Sequence, residues 1–453
     1  MNSCMMAFSW ASIMLLIGVF LRAKVKWFRD MLVPASVIAG ILGIIFINIA
    51  AGMDVNIGTD FNMYNSIVNQ MFTVSFISIS LTSTAKNKDN TIKSTLRGAL
   101  GLGLVWCLLY ALTPLISVGI VAITGTAFQM DPLYGMLIQF AFCQGPGQSA
   151  TYGAIFEQYG WENAAMVAIA FSSIGFVVAF LIGVPAAKAG IKKGIAKHCG
   201  EIDASTYRGF FTREEQPVSA NSDTTCNSNI ETLAFHFAII GLCYVLAIGI
   251  SKILAYLPGF LGTSLNSLMF MNGMYAAYIV KFVMKKLKID YLLDNTLQNK
   301  ITGWTADYLV VCAFMAVSMN IISNWLVPIL SVAVISTVIT FAVCFYFGQR
   351  FGDSNDFERT LGLYGMCTGT VPSGLALIRI VDPNFQTSTG VELGACNLVM
   401  IVFCTPVYLM ILACAAGSLN MAGTLIGLAG CSAIILIVLK LCKCWGKKTF
   451  EWK

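Results

Sequence analysis

The sequence predicts an all-α polytopic membrane protein built from two inverted repeats of five transmembrane helices. Each repeat holds a broken, re-entrant hairpin, and one extra helix follows at the C-terminus. Three observations carry this expectation. Hydrophobic residues make up 57% of the 453-residue chain and charged residues 11%, with a mean hydropathy of +0.77. The apolar residues fall in blocks of about 20, the length that crosses a hydrocarbon core of about 30 Å. Lys and Arg gather at the ends of these blocks, and two blocks are interrupted by glycine and proline at corresponding places.

Taken in order, the apolar runs predict helices near 5–21, 31–50, 66–84 and 96–124, a polar-centred hairpin at 131–156, and a helix at 163–187. Residues 1–187 thus form the first repeat. A polar stretch, 188–229, reads as a cytoplasmic linker. The second repeat, 230–416, repeats the order with helices near 230–256, 263–282, 305–324 and 326–347, a hairpin at 358–380, and a helix at 391–416. Residues 417–453 hold the extra helix, near 423–441, and a basic tail.

Charge sets the orientation. With the N-terminus outside, every Lys and Arg except Lys252 falls in an inside loop or the tail, as the positive-inside rule requires. Met5 to Leu21 lacks a preceding basic cluster, so it reads as a retained first helix rather than a cleaved signal. Five crossings per repeat is an odd number, which forces the repeats to be inverted. Two short matches support the repeat: Phe76-Ile77-Ser78-Ile79-Ser80-Leu81 with Phe314-Met315-Ala316-Val317-Ser318-Met319, and Gly145-Pro146-Gly147-Gln148-Ser149-Ala150 with Gly369-Thr370-Val371-Pro372-Ser373-Gly374.

The hairpins are the candidate site. Proline lacks an N–H and glycine permits unusual dihedrals, so both segments should break their helices. Broken ends free carbonyls that suit Na⁺, and half-helix N-termini offer N–H donors to an anion. Candidate substrate-binding residues are Gln144, Gly145, Gly147, Gln148 and Ser149 in the first hairpin, with Thr368, Gly369, Thr370, Pro372 and Ser373 in the second. Ser149, Thr151, Thr370 and Ser373 are candidate Na⁺ ligands. Glycine and proline also serve helix packing in membranes. Two breaks at matched positions, both dense in Ser, Thr and Gln, favour the site.

Ionisable residues are scarce within the apolar runs. Asp131, Glu157, Glu162, Asp307, Arg379 and Glu392 all fall near predicted segment ends, so the sequence offers no acidic relay at mid-bilayer of the kind proton-coupled carriers keep. Arg379 suits a substrate carboxylate or a positive-inside anchor. Ser78, Ser80, Ser318 and Asn320 are second-rank path residues. The fifteen cysteines are scattered in apolar stretches (Cys107, Cys143, Cys312, Cys344 and Cys396 among them) without CxxC spacing, which reads as packing. Cys442 and Cys444 beside the last helix are sites that palmitoylation could use. No nucleophile elbow, phosphate loop or metal-ligand spacing appears, so an enzyme or a nucleic-acid partner is not expected.

The residues resemble the bacterial sodium/glutamate symporters. The resemblance is carried by Asp131-Pro132-Leu133-Tyr134-Gly135 through the glycine-rich hairpin to Tyr159-Gly160-Trp161-Glu162-Asn163-Ala164. It extends to Gly183-Val184-Pro185, to Val33-Pro34-Ala35-Ser36-Val37-Ile38-Ala39-Gly40 and to Cys367-Thr368-Gly369-Thr370-Val371-Pro372-Ser373. That family typically carries a Gly-Gly-His-Gly type of run where this chain has Cys143-Gln144-Gly145-Pro146-Gly147-Gln148. The resemblance implies a homodimeric inner-membrane carrier of Na⁺ and a small carboxylate or amino acid, with no other cofactor and an elevator-type alternation. Read from the residues alone, an uncoupled channel or facilitator for a small organic anion stays open beside it.

Overall fold

The computed structural model describes residues 2–30, 33–82, 92–196, 198, 224, 230–258, 262, 265–352, 354–382 and 386–451. Every regular element among them is helical. In the first half lie α1 (Ser3–Lys24), α2 (Ala35–Gly52), α3 (Phe61–Leu81), α4 (Ile92–Thr124), the hairpin pair α5 (Ile138–Phe142) and α6 (Pro146–Gln158), and α7 (Ala164–Lys192). The second half holds α8 (Thr232–Leu254), α9 (Met269–Lys286), α10 (Asn295–Met315), α11 (Leu326–Gly348), the pair α12 (Asp356–Thr368) and α13 (Val371–Val381), and α14 (Thr389–Ala415). α15 (Met421–Leu441) comes last. Most of the expected linker, 188–229, lies outside the described residues.

Local chemistry sets the helix starts. Asp60, Asp294 and Asn420 each accept a hydrogen bond from a backbone N–H three residues on, at 2.8, 2.6 and 2.7 Å. Pro114, Pro185 and Pro406 sit inside α4, α7 and α14, where neighbouring helices can satisfy the freed carbonyls. Small residues permit close crossing: Gly18 of α1 abuts Ala35 and Ala39, and Gly40 and Gly43 of α2 abut Phe314 and Met315 of α10.

Among the described residues seven helices are long and apolar enough to cross a membrane: α1, α2, α4, α7, α8, α11 and α15. An eighth is α14 if its two arms, Thr389–Asn397 and Val402–Ala415, bent by 47°, count as one span. The chain is a multi-pass membrane protein. α3, α9 and α10 are of spanning length, at 21, 18 and 21 residues, but more polar. Polar helices at membrane depth need protein or water beside them. α3 packs on both α9 and α10, and α10 packs on α2.

One sequence expectation needs correcting. The third helix of the second half runs Asn295–Met315, not 305–324, because Asp294 caps it early and the chain unwinds at Ala316–Ser318. Asn48 of α2 holds that unwound stretch: its Nδ2 donates to the Val317 carbonyl at 2.9 Å and its Oδ1 accepts from the Met319 N–H at 2.7 Å. Asp307 therefore stands in the body of α10 rather than near an end.

After α15 the tail folds back. Gly446 N–H donates to the Arg350 carbonyl at 2.8 Å, Thr449 N–H to the Gln349 carbonyl at 2.9 Å, and Thr449 Oγ1 to Asp356 Oδ2 at 2.8 Å. Phe450 meets the ring of Phe357 edge-on at 5.3 Å. Cys444 is fully buried, and burial pushes its thiol up to about 11. Thr449→Val should therefore lower thermal stability by about 1–2 kcal/mol through loss of a hydrogen bond to a charged acceptor. Lys447→Ala should leave it unchanged, and melting of both purified variants checks this.

Candidate functional site

Both predicted breaks are present and both are closed by the same local chemistry. In the first, the N–H of Gly145 ends α5 on the Ala141 carbonyl at 2.9 Å. Gly145 then takes a positive φ of 81°, which suits glycine, and Pro146 opens α6. In the second, α12 ends at Thr368, Gly369 leaves the helix, Thr370 is extended, and Pro372 lies in the first turn of α13. The helical arms of each hairpin fold back on each other. Phe140 stacks on Tyr152 at 3.9 Å in the first, and Gly362 and Gly365 of α12 lie against Ile378 and Gly374 of α13 in the second.

The two breaks meet. A Cβ on Gly145 would strike the Thr370 methyl and come within 3.0 Å of the Gly369 carbonyl. The N-terminal ends of α6 and α13 therefore converge, each leaving its first N–H groups without an intrahelical acceptor. Residues from distant helices hold this junction. Trp106 Nε1 of α4 donates to the Cys143 carbonyl at 2.7 Å, and Tyr110 Oη donates to Gln144 Oε1 at 3.3 Å. Gly147 lies directly on Phe72 of α3, which packs with Phe76 and Phe270 at 4.7 and 5.0 Å. Gly175 of α7 makes room for the Thr368 carbonyl.

The expected site residues fall into groups. Gly145, Gly369 and Thr370 are together at the junction, with Ser373 Oγ beside Gly369. Gln144, Gln148, Ser149, Thr368 and Ser373 are buried. Ser149 Oγ donates to the Gly145 carbonyl at 3.0 Å, and Thr368 Oγ1 to the Tyr364 carbonyl at 2.7 Å. Thr151 turns to α3, 2.9 Å from Asn69 Oδ1, and Pro372 is exposed. Thr151 thus points away from the junction that Thr370 and Ser373 share.

Sequence reading missed several groups. Gln139 of α5 is wholly buried with neither amide atom hydrogen-bonded, and Gln148 Oε1 and Ser172 Oγ are likewise buried without partners. Unmet polar atoms at this density suit a bound ligand, ion or water. An amide one turn before a break, inside the run Ile138–Phe142, was the available signal for Gln139. The base of the second hairpin holds a second missed group. Arg359 is 1% exposed and bridges Glu392 bidentately at 2.7 and 2.6 Å and Asp356 at 3.0 Å. Gly98 of α4 packs on the Glu392 carboxylate. This fixes the hairpin base to α14.

The sodium/glutamate symporter family matches residues 2–387. The chain belongs to that family. Family members of similar sequence include the sodium/glutamate symporters of Escherichia coli (strain K12), 22% identical over 390 residues, and of Haemophilus influenzae (strain ATCC 51907 / DSM 11121 / KW20 / Rd), 24% identical over 388 residues. Each alignment covers 83% of this chain and 88% of the relative. The matched span contains both breaks and their junction, while α15 and the docked tail lie beyond it. A transporter family is not an enzyme class.

Two outcomes follow from this geometry. Arg359→Met should destabilise the protein by about 3–5 kcal/mol, because it leaves two buried carboxylates unpaired. Gly147→Val should cost at least about 1–3 kcal/mol through overpacking against Phe72. Melting temperature and monodispersity of the purified variants measure both.

Proposed function

We propose that this protein is a Na⁺-coupled symporter of the inner membrane that carries glutamate or a closely similar small anionic amino acid or carboxylate. The observation that carries the reading is the meeting of the two broken helices, Gly145 against Gly369 and Thr370, inside a family whose named members are sodium/glutamate symporters. In the proposed mechanism the substrate carboxylates rest on the N-terminal ends of α6 and α13, where free N–H groups and the helix dipoles favour negative charge. Gln144, Gln148, Ser149, Thr368, Thr370 and Ser373 supply the directional contacts. Na⁺ takes the neutral oxygens of the break, from the hydroxyls of Ser149, Thr370 and Ser373 and from freed carbonyls.

Two inverted repeats moving by an elevator-type alternation fit the packing. α1 lies on α2 as α8 lies on α9, α3 and α10 lie on each other, and each crosses the second helix of the other half. Those relations are what exchange of two equivalent halves would produce. The N-terminus is placed outside and the C-terminus in the cytoplasm, and a homodimer formed through a scaffold is the expected assembly.

The reading is tested by uptake of labelled glutamate into proteoliposomes with an inward Na⁺ gradient, compared with K⁺ in its place. Accumulation only with Na⁺ is the expected result. Equal rates with both ions would show an uncoupled facilitator, and no uptake of any acidic amino acid would overturn the substrate assignment. Ser149→Ala and Ser373→Ala should each lower Na⁺-dependent uptake by about tenfold, the worth of one or two hydrogen bonds to a charged ligand, without reducing the amount in the membrane.

A further inference from the structure

The first hairpin meets the α3–α10 pair at two levels. Near the break Gly147 rests on Phe72, and Thr151 Oγ1 donates to Asn69 Oδ1 at 2.9 Å. Toward the foot of α6 a second meeting encloses a cavity of about 50 Å³. Asn62 and Asn65 of α3, Glu157 of α6 and Asn163, the residue before α7, supply its polar lining, and Ala316 stands there at the unwound end of α10. Glu157 and Asn62 are exposed, so water reaches the cavity from that end. Asn65 Oδ1 is buried without a hydrogen-bond partner. Glu157 lies about 18 Å along α6 from Gly145, at 1.5 Å of rise per residue, so the cavity is separate from the junction of the breaks.

Among the described residues no Lys or Arg lines this cavity, and its one formal charge is the Glu157 carboxylate. Glu157 Oε1 accepts the Ala165 N–H at 3.1 Å, which caps the start of α7 and leaves Oε2 to another partner. Capping accounts for that one bond. It does not account for a buried, unpaired Asn65 oxygen, nor for three asparagines around the same carboxylate. An unmet acceptor in such a place suits a bound ion or water. Size narrows the choice. Pockets for small organic ligands run to about 300–1,000 Å³ and a single water needs about 10–15 Å³, so this cavity takes an ion with a few waters. Oxygen donors suit a hard cation. One carboxylate balances one positive charge, and a second would stay uncompensated.

We propose that this cavity is a Na⁺ site, with Asn65 Oδ1 and a Glu157 carboxylate oxygen as ligands and the amides of Asn62 and Asn163 completing the shell with water. The ion joins α6 and α7 to α3 and α10. On the repeat matches, Gly303 and Val381 stand where the first half has Asn65 and Glu157, so the second half carries no counterpart. Resting on the transport reading, the consequence is one-sided. Na⁺ bound here favours the state in which the first hairpin is docked on α3, because an ion that binds one of two states shifts the population toward it.

Thermal unfolding of the purified protein in Na⁺ and in choline, without glutamate, tests the site. The parent carries Ser149→Ala and Ser373→Ala, so that Na⁺ at the junction contributes little. Na⁺ should raise its melting temperature with a saturable dependence, as binding to the folded state requires. Glu157→Gln keeps an acceptor for the Ala165 N–H but removes the charge, and Asn65→Leu removes the buried oxygen. Each should raise the half-saturating Na⁺ concentration about tenfold or more, the worth of a lost contact to a charged ligand. Met166→Leu, in the same lining but without a ligand oxygen, should leave it unchanged. Glu157→Gln combined with Asn65→Asp returns one carboxylate and should recover to within about threefold of the parent. A parent with no Na⁺-specific shift, single variants that keep the parent's half-saturation, or a double variant no better than Glu157→Gln overturns the site. A larger shift with Ca²⁺ than with Na⁺ overturns the assignment to Na⁺. No transport is measured, so wild-type protein that fails to take up glutamate would contradict the transport reading while this titration would still decide the site.

Discussion

Two interrupted helices are tolerable inside a membrane only if protein surrounds the broken ends, and here the two ends pack against each other. Gly145, at a positive φ with no side chain, lets the first break come against Gly369 and Thr370 of the second. The rest of the core is arranged to hold that approach. Trp106 and Tyr110 of α4 hydrogen-bond the Cys143 carbonyl and the Gln144 amide, Phe72 of α3 backs Gly147, and Gly175 of α7 clears space for the Thr368 carbonyl. Arg359, paired with Asp356 and Glu392, anchors the far end of the second hairpin. Residues on α3, α4, α7 and α14 are thus committed to one junction.

That junction was readable because its causes are local. Glycine beside proline interrupts a helix wherever it falls, so Gly145-Pro146 and the Gly369–Pro372 stretch located both breaks to within a residue or two. Hydropathy located the outer helices for the same reason. It misplaced the third helix of the second half, since the start is set by the Asp294 cap in a polar stretch and the end by Asn48, distant in sequence. The buried charges were missed for the same reason. Arg359 follows an acidic residue in a hairpin and looks like a solvated turn until Glu392, from another helix, is brought to it. Pairings between distant segments leave little trace in a single sequence.

The candidate ligands show the same division. Gly145, Gly369, Thr370 and Ser373 gather because each sits at a break. Thr151 and Asn69 instead join α6 to α3. Gln139 and Ser172, on two helices that pack together, are buried without hydrogen-bonding partners, and only packing reveals them. The docking of the first hairpin on α3 likewise emerges only from the assembled chain. The C-terminal tail adds a restraint outside the family-matched span by tying Thr449 to the base of the second hairpin.

The central claim is that the joined breaks form a site for an acidic amino acid together with Na⁺. Ligand-induced stabilisation of the purified protein tests it most directly, since a ligand that binds the folded state at 100 times its Kd adds about 2.7 kcal/mol. Glutamate should raise the melting temperature in Na⁺ and much less in K⁺, and Gly145→Val, which obstructs the junction, should abolish the shift. An equal shift in both cations, or one unchanged in Gly145→Val, would contradict the account.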